Sequence, residues 1–426
     1  MKGWKGCLAA VSLSLALGLA GCAGAPANTV TLWVGPVGDF AADATTGASA
    51  AADALAAAYQ KAHPDTAVKT EALTAQEIDL RLAAGEAPDV LLDSTERILR
   101  NMTAGAAGNT AAIPPDDAQA LWDENAAADF AAASAQIAPA CQDGDGVYRI
   151  YPVAVMVDCI AANPTLFESA GAGAYLKEDR TWTTTDFRRA LQALLDSGLY
   201  MPGLLYSGGT EGDQGTRLLL QNMANTPFTD AAHSRYTFAG DAATRALQDV
   251  LEMTRAGLLQ YQNSATAADE TMIFAGGGTA ISLCWNATVQ SANADSMAFT
   301  PYLMNYPCDD TPVLYGTVWG FATYNGSAAG QELARFAVQD AAQGAVTVKS
   351  TGQLPARSTL GNLYAGTKNE AVYTQLAALL PYMGDVYGVT PGWGPQRVAW
   401  RQLLEDAFTA ENAEEAIATY ETAAQP

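Results

Sequence analysis

Apolar and polar residues follow two periods along this chain, one typical of strands and one typical of helices. The apolar run Val30–Val34 predicts a buried strand. The Ala-rich stretch 48–62 carries Leu55 and Tyr59 four positions apart, which places both on one face of a helix. The chain therefore opens with a predicted strand followed by a helix.

The same alternation continues over the next thirty or so residues. Val68 opens a possible second strand, and Thr74 with Glu77 forms a capping-box pattern at the start of a helix that Gly85 ends. The apolar run Val90–Leu92 predicts a third strand. The order β-α-β-α-β with short connections predicts an α/β lobe whose sheet is mainly parallel.

Helices and strands alternate through the rest of the chain as well, so α/β is predicted for both halves. Strands are predicted at 147–157, 281–283 and 317–323, the first of them after the turn at 143–146. Helices are predicted from Thr184 or Thr185 to Asp196, from a cap at Asp241 to Gly257, from Ser327 to about Ala342, and at about 395–408 and 412–423.

The N-terminus predicts export and a lipid anchor. Lys2 and Lys5 precede an apolar run, Cys7–Ala20, that is shorter than the roughly 20 residues a membrane-spanning helix needs. The run ends in Leu-Ala-Gly-Cys, which resembles the bacterial lipobox and predicts cleavage after residue 21 and acylation of Cys22. Residues 22–29 then form a tether, and the protein is expected on the extracytoplasmic side of a bacterial cell membrane.

Charge narrows the range of partners. The 426 residues carry a formal charge of −23, and only 16% of them are charged. Nucleic acid is not an expected partner, because that binding relies on Lys and Arg neutralising phosphates. The acidity also argues against an anionic membrane surface, so membrane contact is expected through the lipid only. At 426 residues, two packed lobes are expected.

Four cysteines remain after cleavage and acylation. An even number outside the cell makes them candidates for disulfides, with three possible connectivities, and free buried thiols are the alternative. No Cys-x-x-Cys spacing occurs, so no metal site is predicted. The four are Cys141, Cys159, Cys284 and Cys308.

Catalytic motifs are missing from the sequence, whereas aromatic residues mark predicted strand ends and loops. The sequence has no His-Glu-x-x-His, Gly-x-Ser-x-Gly, Walker A or Gly-x-Gly-x-x-Gly motif, and no cofactor is predicted. Trp285 follows a predicted strand, Trp319 lies within one, and Trp393 stands between glycines. A flat apolar ring suits stacking on the C–H face of a sugar, although packing in the core is the alternative for each.

Several segments resemble the family 1 extracellular solute-binding proteins of ABC importers, the family that includes maltose-binding protein. The resemblance extends over nearly all of the chain after the lipobox. Its segments, in order, are 83–90, 151–167, 181–187, 274–285 and 352–357. Each is loose alone, but their shared order behind a lipobox is specific.

The resemblance implies two α/β lobes joined by a hinge, with the ligand in the cleft between them. Lobe one would comprise residues 28–152 and 316–368, and lobe two residues 153–315 and 369–426. Ligand would favour a closed state by binding it more tightly than the open one, and the closed form would dock on a membrane permease. A monomer is expected.

Some site residues follow from the same resemblance. Glu96-Arg97 stands where maltose-binding protein has an acid-Arg pair that contacts sugar hydroxyls, with Asp93 in place of the aromatic residue before that pair. Met156 replaces an acid of the family pattern, and Gly35–Gly38 replaces an acidic turn, which argues against maltose itself. The predicted ligand-binding residues are Asp93, Glu96, Arg97, Tyr151, Trp285, Trp319 and Trp393.

The function predicted from the sequence is thus a non-enzymatic, lipid-anchored carbohydrate-binding subunit of an ABC importer. On the same fold, a polyamine, metal complex, amino acid or phosphonate is an alternative ligand. A secreted glycan hydrolase and a surface protein with an adhesive role are the alternatives from other classes.

Overall fold

The computed structural model describes residues 28–37, 44–103, 105, 110–126, 131–208, 214–230, 234–385 and 393–423. The predicted signal peptide and Cys22 lie outside these residues. The helices are α1 (Ala44–Ala62), α2 (Ala75–Ala83), α3 (Thr95–Thr103), α4 (Pro115–Ala126), α5 (Ala131–Ala140), α6 (Pro164–Ser169), α7 (Thr184–Asp196), α8 (Gln214–Ala224), α9 (Gly240–Arg255), α10 (Ala267–Ala275), α11 (Ala287–Asn293), α12 (Ala328–Gln339), α13 (Ala341–Thr351), α14 (Glu370–Leu379), α15 (Trp393–Ala410) and α16 (Ala413–Ala423).

Within the described residues, the strands form three sheets. They are β1 (Asn28–Val34), β2 (Thr66–Ala72), β3 (Val90–Ser94), β4 (Ile150–Val157), β5 (Cys159–Ala162), β6 (Leu204–Tyr206), β7 (Gln260–Gln262), β8 (Ile281–Trp285), β9 (Tyr302–Met304), β10 (Leu314–Thr323), β11 (Leu354–Pro355) and β12 (Met383–Asp385). The larger sheet has the order β11-β4-β10-β3-β1-β2, with β12 also paired to β10, and the smaller sheet has the order β8-β5-β9. A third sheet pairs β6 with β7.

The first βαβαβ unit forms as its pattern predicts. β1 pairs in parallel with both β2 and β3, and Thr74 and Glu77 make both hydrogen bonds of the capping box that starts α2. The prediction of a mainly parallel sheet needs correction for the sheet as a whole. β10 lies in the centre of the larger sheet and runs antiparallel to both of its neighbours, β3 and β4, so this sheet is mixed.

Two local predictions about helices are wrong. Asp241 does not cap α9, because the helix begins at Gly240, whose backbone N–H donates to Glu421 of α16 instead. The helix predicted from Ser327 to about Ala342 is two helices, because Asp340 leaves the helical conformation and its side chain caps α13 by accepting from Gln343 N.

Apolar residues cover both faces of the larger sheet. On one face, α1 and α12 bury Tyr59 and Leu333 against Phe321 of β10. On the other face, Leu91 and Val155 belong to a core that continues through the smaller sheet. No helix in the described part of the chain is long and apolar enough to cross a membrane.

Candidate functional site

The two sheets are joined where β4 continues into β5. Asp158 is the single residue between these strands, and its backbone N–H donates to the carbonyl oxygen of Tyr315 at 3.0 Å. Tyr315 lies at the start of β10, immediately after the chain returns from the smaller sheet. The chain therefore passes between the two sheets at Asp158 and again just before Tyr315. These two crossings lie side by side and are hydrogen-bonded to each other.

One face of the larger sheet changes character as it approaches these crossings. Because side chains alternate across a strand, Tyr315, Thr317, Trp319 and Phe321 of β10 share a face. Phe321 belongs to the apolar core under α1 and α12, whereas the residues nearer the crossings are polar or aromatic. Thr317 and Trp319 belong to neither core cluster, and Tyr315 is partly buried and packs against the edge of one. This end of the face is where a polar solute could be held.

Five polar side chains here form two hydrogen-bonded groups. We call these groups, together with the backbone bond that links them, the crossover network. Tyr315 donates its hydroxyl to Glu96 Oε1 at 2.8 Å and accepts from the Thr317 hydroxyl at 3.1 Å. Asn286, the cap of α11, donates to Asp158 Oδ1 at 2.8 Å. The network thus extends from the first turn of α3 beside the larger sheet to the start of α11 beside the smaller one.

Trp319 lies next to the network on the same face of β10. It pairs with Ser94 on β3 and with Ala154 on β4, both of which have small side chains. Its side chain is buried in the structure. A carboxylate, hydroxyls and an indole within one patch supply both the directional polar bonds and the apolar surface that sugar recognition requires.

The predicted pair Glu96-Arg97 is split by the fold. Glu96 joins the crossover network, whereas Arg97 Nε lies 2.7 Å from Asp93 Oδ2, and Arg97 Nη1 lies 3.5 Å from Asp79 Oδ2. These two residues are adjacent in a helix, so their side chains leave in different directions. In the structure, Arg97 is therefore paired with carboxylates, whereas Glu96 lies beside Tyr315.

Asp93 is fully buried. Besides Arg97, the backbone N–H of Ser94 donates to its Oδ1 at 2.7 Å, and a side chain at Gly35 would collide with it, since a Cβ there would lie 2.7 Å from Asp93 Cγ. Burial raises the pKa of Asp93 to about 6, and the charge of Arg97 opposes that rise. Its surroundings are those of an interior ion pair.

Tyr151 and Trp285, also predicted as ligand contacts, are buried and engaged by protein groups. Tyr151 donates to Asp117 Oδ2 at 2.8 Å within the core of the larger sheet, and burial raises the pKa of its hydroxyl. Trp285 donates its indole N–H to Gln290 at 3.1 Å and packs edge-on against Phe274. Ligand contact by these two residues stays a prediction. Trp393 begins α15, but its side chain lies outside the described part of the chain.

The expectation of disulfides is not met in the structure, where all four candidate cysteines are free and buried. Cys159 donates its thiol to the carbonyl oxygen of Trp285 at 3.2 Å, and Cys308 contacts Asn225 at 4.0 Å. Burial raises the pKa of Cys141, Cys159 and Cys284, which keeps these thiols protonated. The described residues include no group of three or more His, Cys, Asp or Glu able to hold a metal ion.

Sequence reasoning missed Asp158, Asn286, Tyr315 and Thr317. A signal existed for Asp158, because it follows Met156, the residue that replaces the family acid, by two positions and so has the same strand parity. The other three are recognisable only once strands distant in sequence are paired.

Comparison with known proteins assigns the chain to a family. The family model of bacterial extracellular solute-binding proteins matches residues 42–344. That is more than half of the sequence, and the protein belongs to this family. None of the curated protein sequences compared with it is similar enough to count as a match.

Solved structures of several binding proteins share the fold. The GacH receptor of Streptomyces glaucescens, studied unliganded and with acarbose, has 16% identity and a TM-score of 0.67 over 93% of this chain and 97% of its own. A cyclic α-maltosyl-1,6-maltose binding protein from Arthrobacter globiformis has 21% identity and a TM-score of 0.65, with 93% and 97% covered. The protein Lmo0181 of Listeria monocytogenes, in complex with cycloalternan, has 14% identity and a TM-score of 0.64, with 93% and 98% covered. The predicted α/β fold of the two-lobe type is thereby confirmed.

Proposed function

We propose that this protein is the solute-binding subunit of an ABC importer and that it binds an oligosaccharide at the crossover network. The observation that carries the proposal is the hydrogen-bonded arrangement of Glu96, Tyr315 and Thr317 beside Trp319, at the crossings between two sheets. Family membership supports the binding role, and the fold neighbours with acarbose, cycloalternan and cyclic maltosyl-maltose favour a glycan of several rings.

The site chemistry supports a neutral, hydroxyl-rich ligand. A carboxylate such as Glu96 accepts from sugar hydroxyls, and the hydroxyls of Tyr315 and Thr317 can donate or accept. Trp319 offers an apolar ring for a C–H face. Glu96, Tyr315 and Thr317 already satisfy one another in the structure, so the ligand would exchange some of these bonds for its own.

The two lobes would close on the ligand, because a ligand that contacts both sides of the crossings binds the closed state more tightly. One lobe would comprise residues 28–152 and 316–368, and the other residues 153–315 and 369–426. Anchoring through Cys22 would hold the protein at the outer face of the cell membrane, and the closed form would deliver its ligand to the permease. Replacing Cys22 with Ser should release the protein from the membrane fraction if the lipid is its anchor.

A thermal melting screen tests the ligand assignment. Ligand at 100 times its Kd adds about 2.7 kcal/mol to the free energy of unfolding, which is easily seen as a higher Tm. The screen should compare monosaccharides, linear and cyclic oligosaccharides of glucose, and other hexose and pentose oligomers. Polyamines, amino acids and phosphonates complete it. A shift with oligosaccharides only is expected, whereas a shift with polyamines only would overturn the proposal.

A further inference from the structure

Gln353 stands out among the buried polar residues near the crossings. It lies between α13 and β11, and its side chain is fully buried. Its amide nitrogen donates to the Thr288 hydroxyl at 2.6 Å. Its carbonyl oxygen Oε1 has no hydrogen-bond partner among the residues that the structure describes. An unpaired buried acceptor destabilises the folded state, because it loses its hydrogen bond to water without gaining another, so proteins retain few of them without a use.

The backbone around Gln353 is held firmly. Tyr364 donates its hydroxyl to the carbonyl oxygen of Gln353 at 2.8 Å, and Tyr373 donates to that of Gly352 at 2.6 Å. The rings of the two tyrosines are also in contact, with their centroids 3.8 Å apart. Together with the Thr288 bond, these contacts fix the direction in which Oε1 points.

Strand register places this side chain in line with the crossover network. Leu354 pairs with Val155, and continuing that antiparallel register by one residue puts Gln353 opposite Met156. Met156 in turn pairs with Thr317 on β10. Met156 and Thr317 are therefore neighbours on one face, and Gln353, at the bend just before β11, comes next in the same row. Thr317 is joined through Tyr315 to Glu96 at the far end.

We propose that Gln353 is a ligand-contacting residue, whose Oε1 accepts a hydroxyl of the bound oligosaccharide. Met156, in the middle of the row, offers no polar acceptor. Gln353 would supply one from the end of the row beside β11. This inference rests on the proposed function and extends it to the ligand's size and charge.

The row sets the kind of oligosaccharide that fits. Its polar ends are Gln353 beside β11 and the Tyr315–Glu96 pair, which starts from β10. These two strands are two spacings of about 4.8 Å apart, roughly 10 Å, which is longer than a single sugar ring. Met156 between them offers a flexible apolar surface for the C–H face of a ring. An amide at one end, rather than a charged group, matches an uncharged terminal ring. The site would therefore take a neutral oligosaccharide of at least two rings.

Calorimetric titration of variants tests this assignment, with the oligosaccharide that gives the largest melting shift as probe. Gln353→Met keeps the side chain's length but removes the acceptor, and binding should weaken about tenfold, as expected for one lost hydrogen bond. Thr288→Val removes only the partner of the amide nitrogen and should weaken binding less than about threefold. Gln343→Met, at a buried glutamine of α13 that bonds to Thr347, is the matched control and should bind as wild type does.

Every outcome decides between the alternatives. Unchanged affinity in Gln353→Met overturns the contact, and so does a loss in Thr288→Val as large as that in Gln353→Met, because the bond between those residues would then carry the effect. If Gln353→Met does not fold, Gln353→Ala gives the same test without the apolar bulk. If wild type binds no oligosaccharide, the proposed function itself fails and this inference fails with it.

Discussion

Asp93 and Glu96 are carboxylates at the same turn, where β3 gives way to α3, yet their surroundings differ in almost every respect. Asp93 is fully buried and faces Arg97, whereas Glu96 is half-buried and accepts from Tyr315. The former resembles an interior ion pair that fixes the turn, and the latter a group presented to a ligand. Position beside a family motif therefore does not decide a residue's role. Two carboxylates only three residues apart can lie in different environments, one in the interior and one at a candidate binding surface.

Arg97→Met should produce the largest effect and should show it in stability. Removing one partner of a buried ion pair leaves an uncompensated charge, which costs about 3–5 kcal/mol in the free energy of unfolding. Denaturant titration at pH 7 measures this. Arg100→Met is the control, because Arg100 and its partner Asp79 are both more than a third exposed and lie 3.5 Å apart, so less than about 1 kcal/mol is expected. Lost ligand affinity at wild-type stability would instead restore Arg97 as a recognition residue.

The free energy of unfolding should also depend on pH through the protonation of Asp93. The pKa of Asp93 is raised from 3.8 to about 6 by burial, so the folded protein binds this proton more tightly than the unfolded chain does. Stability from this group is therefore greatest below pH 3.8 and is lost as pH rises through about 6. The difference corresponds to about 3 kcal/mol at 1.36 kcal/mol per pKa unit.

Asp93→Asn should remove this pH dependence. The unfolding free energy of wild type minus that of the variant should increase as the pH falls from 7 to 4. Asp65→Asn, at an exposed position, controls for the loss of one negative charge. Parallel curves for wild type and Asp93→Asn would show that Asp93 is not held as described.

Glu96→Ala should act on binding rather than on folding. Loss of a charge-assisted hydrogen bond to ligand costs about 1.5–3 kcal/mol, or roughly tenfold to hundredfold in Kd. Calorimetric titration measures this, with Glu86→Ala at an exposed turn as the matched control. A variant that loses stability but keeps affinity would reverse the roles of the two carboxylates.

Tyr315→Phe should have the smallest effect, because it removes one hydroxyl and leaves the ring. Glu96 would lose its neutral donor, and ligand affinity should fall by about tenfold or less. The same titration measures it, and Tyr382→Phe, on a half-buried tyrosine elsewhere, serves as control. An affinity loss greater than that of Glu96→Ala would place Tyr315, and not Glu96, at the centre of recognition.

Much of the fold could be predicted from the sequence because its determinants are local. The capping box at Thr74 and the apolar run of β3 both act within a few residues, and both form as predicted. The cap of α9 could not be predicted, because Glu421 reaches it from the other end of the chain. The break at Asp340 had a local signal, an Asp three residues before Gln343, that the longer apolar pattern obscured.

The candidate site was less accessible to sequence reasoning, since it depends on strand register. The resemblance pointed to the turn after β3, with both Glu96 and Arg97 as ligand contacts, and the fold directs Arg97 to other carboxylates. Thr317 and Gln353 are recognisable as site residues only when β4 is aligned with β10 and β11. Periodicity predicts which residues of one strand lie on the same face, but it does not predict which residues of a neighbouring strand lie beside them.

Hydrogen exchange with and without the oligosaccharide of largest melting shift locates the bound ligand on the chain. Binding at the crossover network predicts slower exchange in the peptides that span 94–99, 154–160 and 314–319, which meet at the crossings. Exchange in α1 and α9, which lie away from these crossings, should stay unchanged. Protection confined to other parts of the chain, with those three peptides unaffected, would show that the ligand does not bind at the crossover network.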